Sequence, residues 1–175
     1  MKKLLLLPML VMLLLALMSC EKDQLGPAAG VQDETVVSRD VTLPFVGWYT
    51  TYPALIGADE NGTLTFEIPG EGISNVLRQS TWYSVSEIFN TLTGPPYVQT
   101  GNSIFTAADG SQLIGTFEGT TGPQGIYPFV GTGAYVVTSG TGAYDGATGS
   151  GTYSYKVAPD FSYAKLEFKG TLTLK

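Results

Sequence analysis

Glycine-punctuated strand segments constrain this chain more than any other feature, and they are densest at residues 131–155, GTGAYVVTSGTGAYDGATGSGTYSY. Two apolar-aromatic runs, 134–137 and 152–155, are separated by a Gly/Thr/Ser/Asp connection with few side chains large enough to pack. Glycine tolerates positive φ and close approach of another backbone, so this connection predicts turns and bulges between strands. The rest of the chain repeats the pattern. Residues 41–52 (VTLPFVGWYTTY) are β-branched and aromatic, with Pro44 pointing to an edge or a bulge. Residues 63–68 alternate, and the preceding Asp59-Glu60-Asn61-Gly62 carries the Asn-Gly pair that favours a hairpin. Residues 77–89 are long enough for a strand, with a helical start near Ser74 left open. Residues 103–107 and 112–117 flank the hairpin turn Ala108-Asp109-Gly110-Ser111, and strands at 126–138 and 151–157 follow. At 163–174, Leu166, Phe168, Leu172 and Leu174 alternate with Lys165, Glu167, Lys169 and Thr171, which predicts one buried face and one wet face. No long window carries a 3.6-residue period.

This amounts to about eight strands in roughly 135 residues, enough for one domain with one core. An all-β, antiparallel, closed barrel accounts for it best, because closure removes the edges that an open eight-stranded sheet exposes. A β-sandwich is the alternative, and periodicity does not separate the two.

The first residues have a different character. Lys2-Lys3 precedes an apolar run from Leu4 to Leu17, and Leu17-Met18-Ser19-Cys20 follows. The run is short for a comfortable membrane span of about 20 residues and has the layout of a secretory signal peptide. Its end resembles a bacterial lipoprotein lipobox. The resemblance implies cleavage before Cys20, lipidation of that residue, and anchoring in a membrane through more than one acyl chain. The organisation expected is therefore a signal peptide over 1–19, a flexible tether over 20–40 and a barrel domain over 41–175. The tether is acidic and Gly/Pro-punctuated. Glu21-Lys22-Asp23 resembles the charged tag that sends some lipoproteins to the outer face of the outer membrane, and so points there rather than to the periplasmic side.

Residues 102–119 (NSIFTAADGSQLIGTFEG) resemble the FTAANGDQL-GTYTG hairpin of many small secreted bacterial proteins, and 140–151 (GTGAYDGATGSG) resemble their GGTGRFAGATGSG segment. These proteins are grouped with the allene oxide cyclase-like and dirigent-like barrels. The resemblance implies a closed barrel and admits cyclase or isomerase chemistry in its lumen. There is one departure: where relatives often carry Gly-x-Ala-Thr-His-Leu-Gly-Lys-Ser, this chain has GISNVLRQS over 72–80, with Asn75 in the histidine's place. Chemistry assigned to that histidine does not carry over.

Composition excludes several function classes. The sequence contains no histidine and a single cysteine, Cys20, so Ser-His-Asp and Cys-His catalysis and His-bearing metal sites are impossible. No glycine motif opens a helix after a strand, so no nucleotide or other cofactor is expected. The formal charge of −6 opposes binding to nucleic acid or to bare anionic lipid. Asp59, Glu60 and Asn61 are too few oxygen ligands for calcium, and no metal is expected.

The remaining candidates are carboxylates, one arginine and aromatics. A carboxyl inside an apolar barrel has a raised pKa and can serve as acid or base; Glu87 and Glu118, with Glu67, fall in strand segments and are the candidates. Arg78 could orient an anionic ligand if it lines the lumen. Trp82, Tyr83 and Tyr153 are candidate ligand contacts, and with Trp48, Tyr49 and Tyr155 they could instead form a carbohydrate-contacting surface. Three functional classes follow. One is an anchored barrel binding a small hydrophobic ligand or a surface partner, another a cyclase-type enzyme, and the third a packed structural barrel. Lumen size and the presence of an inward carboxylate discriminate them; oligomeric state is not readable.

Overall fold

Side-chain alternation decides which side of a sheet each residue takes, and here it does so around a closed ring. The computed structural model describes residues 40–175; the expected signal peptide, Cys20 and the tether up to Arg39 lie outside the described residues. Nine strands follow in order: β1 (Val41–Thr51), β2 (Ala54–Ala58), β3 (Leu64–Ser74), β4 (Arg78–Phe89), β5 (Tyr97–Ala107), β6 (Gln112–Gln124), β7 (Tyr127–Gly140), β8 (Thr148–Val157) and β9 (Ala164–Leu174). A single 3-10 turn at Gly142–Tyr144 joins β7 to β8. All pairings are antiparallel. β1 closes the ring by pairing β9 along its whole length, from Val41↔Leu174 to Thr51↔Ala164, and β3 from Gly47↔Ser74 to Thr51↔Gly70. The fold is thus a closed eight-stranded barrel with one extra strand.

That extra strand is β1 continued. Ala54↔Glu67 and Leu55↔Phe66 keep the register that β1 holds on β3, and Tyr52 N donates to Pro69 O (2.8 Å) across the break. β9 begins opposite Thr51, so β2 runs past the rim with one partner only. The periodicity over 54–58 is too short and too mixed to show it. The sequence also conceals the first half of β5, where Val98-Gln99-Thr100-Gly101-Asn102 has little apolar content. No helix forms near Ser74; instead Ser74 Oγ accepts from Leu77 N (2.9 Å) in the β3–β4 turn.

Pro44 occupies a local edge, as expected: it pairs Thr171 of β9 on one side, and the β1–β3 ladder begins only at Gly47 on the other. In an antiparallel strand a residue's N–H and C=O leave on the same side, and Pro44 O faces the side where β3 has already ended. Asn75 takes over there. Its Oδ1 accepts from Val46 N and its Nδ2 donates to Pro44 O, both at 2.8 Å, while Asn75 N donates to Val46 O at 3.0 Å. The missing proline N–H has no ladder partner to disappoint.

Inside, aromatic side chains alternate with glycine and serine. Phe168 is the hub, with ring centroids 4.9 Å from Phe105, 5.2 Å from Tyr135 and 5.9 Å from Trp82. Many glycines sit within strands and face inward, where a side chain would collide with an aromatic ring or with the backbone of the adjacent strand. A Cβ at Gly101 would lie 2.6 Å from the Phe117 ring, and one at Gly170 2.7 Å from Tyr135 Oη. Inward serines satisfy the polar tips of the aromatics: Trp82 Nε1 donates to Ser103 Oγ (2.7 Å), and Tyr49 Oη shares a hydrogen bond with Ser80 Oγ (2.9 Å). Leu77, Leu113, Ala147 and Leu172, all buried, plug the end at which β1 starts.

Candidate functional site

The opposite end is open. There the aromatic filling stops short of the rim and leaves a cavity of about 80 Å³. Its wall is mostly apolar, formed by Phe66, Ile88, Phe117, Phe161 and Leu166, with Trp82 and Phe168 among the residues toward the packed interior. The strands contribute because their period-2 phase continues outward from the core: Trp82, Ser86 and Ile88 from β4, Tyr153, Tyr155 and Val157 from β8, Leu166 and Phe168 from β9.

One side of the wall carries a connected polar group. Tyr155 Oη donates to Gln99 Oε1 (2.8 Å) and shares a 2.7 Å hydrogen bond with Thr121 Oγ1. Gln99 Nε2 donates to Ser86 Oγ (3.1 Å), whose hydroxyl donates to Thr100 O (3.1 Å). Burial pushes the Tyr155 phenol up to about 12, against the downward pull of its bonds to Thr121 and Gln99. Tyr153 lies parallel to Tyr155 with centroids 6.4 Å apart. Its buried hydroxyl has no hydrogen-bond partner, and burial drives its pKa well above the ordinary phenol value. No residue on this wall changes charge near neutral pH.

The rim continues the apolar surface outward. Most connections at this end carry a large exposed apolar side chain: Tyr52 and Leu55 on the β1–β2 side, Leu92 between β4 and β5, Ile126 between β6 and β7, and Phe161 between β8 and β9; the β2–β3 turn does not. The β5–β6 turn at the closed end, Ala108-Asp109-Gly110-Ser111, has none.

Comparison with protein-family models, with curated proteins and with solved structures finds no match. The site therefore stands on its geometry.

That geometry divides the candidates read from sequence. Trp82 and Tyr153 are on the cavity wall. Glu87 and Glu118 are not in the lumen: both are exposed on the outer face and flank Thr100 across β4, β5 and β6. The physical reason is phase, since Trp82, Ser86 and Ile88, and likewise Phe117, occupy the inward positions. Glu67 is on the outer face as well, where it accepts from Tyr83 Oη (2.9 Å), so Tyr83 also points away from the cavity. Arg78 is exposed at the start of β4 at the plugged end, with φ +62°. Sequence reasoning missed Gln99, Ser86 and Phe161. Extending the β4 phase four residues beyond Trp82 would have found Ser86; nothing in the sequence marks Gln99 or the loop residue Phe161.

Proposed function

We propose that this is a lipid-anchored envelope protein whose open barrel end binds a small hydrophobic molecule. The observation that carries the reading is the apolar cavity at one end, with no carboxylate on its wall and no group that ionises near neutral pH. Acid-base chemistry of a cyclase or isomerase would need such a group. The leader sequence and Cys20 support the anchor and a place in the outer membrane, surface side outward. The two glycine motifs at 102–119 and 140–151 support kinship with the allene oxide cyclase-like and dirigent-like barrels.

The cavity limits the ligand. About 80 Å³ is well below the roughly 300–1,000 Å³ of sites for drug-sized molecules. A chain end or single ring enters, and the rest lies on the apolar rim. β1 enters at the plugged end, so the tether's attachment point and the mouth are at opposite ends of the barrel.

A series of linear alcohols from butanol to decanol tests this by NMR titration. Affinity is expected to rise about fourfold per methylene, the equivalent of roughly 0.8 kcal/mol, until the cavity is full. Shifts should centre on Thr51, Ala164 and Phe161. Ala164→Phe, which fills the space, should abolish them, and Phe161→Ala should weaken binding without affecting folding. Affinity independent of chain length, or shifts centred elsewhere, would overturn the proposal. The anchor has its own test: Cys20→Ser should release the protein from membranes and abolish incorporation of labelled palmitate.

A further inference from the structure

A second site lies on the outside of the barrel, across β7, β8, β9 and β1. Of the five cationic side chains among the described residues, Lys156, Lys165 and Lys169 are on β8 and β9, while Lys175 follows the far end of β9 and Arg78 begins β4, both at the plugged end. Lys156 and Lys165 are direct cross-strand partners, an arrangement that costs stability because like charges face each other. Among the described residues neither forms an ion pair. Their ammonium groups are held on separate aromatic faces instead: Lys156 Nζ lies 5.5 Å from the Tyr127 centroid, and Lys165 Nζ 5.3 Å from that of Tyr163 and 2.8 Å from Thr50 Oγ1.

Both lysines line a groove of about 320 Å³, bounded also by Val130, Ser154, Glu167 and Trp48. Trp48 is 53% exposed, and its indole is fixed because Nε1 donates to Glu167 Oε1 at 2.9 Å. The Glu167 carboxylate is in turn neutralised by Lys169 Nζ at 2.9 Å, so it does not cancel the charge of the lysine pair. An exposed indole held rigid is a stacking surface for a pyranose ring, and two lysines beside it, without a carboxylate partner among the described residues, favour an anionic one. On a protein that is otherwise acidic, this concentration of positive charge is local and specific.

We propose that the groove is a binding site for an acidic polysaccharide, with a sugar ring on Trp48 and its carboxylate or sulfate between Lys156 and Lys165. The site is separate from the lumen and does not depend on the ligand bound there.

Tryptophan fluorescence of the folded protein provides the test, since Trp82 is buried in the barrel and Trp48 is exposed. Titration with hexagalacturonate and with a sulfated dextran oligosaccharide identifies which anionic group is taken; maltohexaose is the neutral control. At least one acidic oligosaccharide is expected to change the Trp48 emission, with affinity falling as salt is raised. Lys156→Gln and Lys165→Gln should each weaken binding about threefold, and Trp48→Ala should abolish the emission change and weaken binding measured by calorimetry. These exposed positions carry little folding energy, and far-UV circular dichroism verifies each variant. No binding of either acidic oligosaccharide, equal binding of maltohexaose, or unchanged affinity in the double lysine variant would overturn the proposal.

Discussion

Asn75 shows how one side chain can complete a barrel. β3 ends opposite Gly47 and leaves the start of β1 without a strand partner on that side, and the Asn75 amide supplies an acceptor for Val46 N and a donor for Pro44 O. Asn75→Ala removes two hydrogen bonds that water can partly replace, so a loss of about 1–2 kcal/mol is expected in urea denaturation. Asparagine at this place is explained by the seam, a structural duty that requires a planar amide. Gly101 makes the complementary point. Its Cβ position is taken by the Phe117 ring edge and approached by Val85 O at 2.9 Å, so Gly101→Ala should cost about 1–3 kcal/mol by overpacking. Combining it with Phe117→Leu should recover part of that loss, and a thermodynamic cycle measures how much. If Gly101 served only backbone freedom, the second substitution would not help.

Among the connecting elements, three turns are built alike. Asp59 accepts from Asn61 N and Thr63 N before β3, Asp109 from Ser111 N and Oγ before β6, and Asp160 from Ser162 N and Oγ before β9. Each carboxyl is held below its ordinary value, Asp59 and Asp109 chiefly by a backbone N–H and Asp160 chiefly by the Ser162 hydroxyl. A depressed native pKa contributes stability above the unfolded value, and that stability is lost as pH falls through the native one. The urea midpoint should therefore decline below about pH 4, and the triple variant Asp59→Asn, Asp109→Asn, Asp160→Asn should show a flatter acid limb. Two of these turns, Asp59 to Gly62 and Ala108 to Ser111, were legible because turn chemistry is local. The β8–β9 turn and β2 were not. Local composition does not reveal that a strand will outrun its neighbour, since β2 exists because β9 starts opposite Thr51.

For the molecule as a whole, the buried phenols set the upper pH limit. Tyr135 and Tyr155 are each pushed up to about 12, both by burial first, and Tyr153 moves in the same direction. A raised native pKa means that the unfolded chain loses these protons first. Stability is complete below the ordinary phenol value and is lost as pH rises through it toward the native values. Above about pH 10 the barrel should become progressively easier to unfold. Phenolate absorbance at 295 nm from these three tyrosines should appear together with loss of circular dichroism. Independent titration in the folded state would contradict their burial.

Alternation, turn residues and glycine frequency were enough to specify an all-β antiparallel domain, because each depends on neighbours only a few positions apart; closure into a barrel rather than a sandwich was decided by the pairing of β1 with both β9 and β3. The absence of histidine was equally decisive about chemistry, since a missing side chain needs no coordinates. What depended on long-range pairing was the direction each face points: Glu87, Glu118, Tyr83 and Arg78 went outside, while Gln99 and Tyr155 met across 56 positions of sequence at the mouth. Ring closure chose between the two faces of every strand at once, by burying the aromatic rows and leaving their charged neighbours in water.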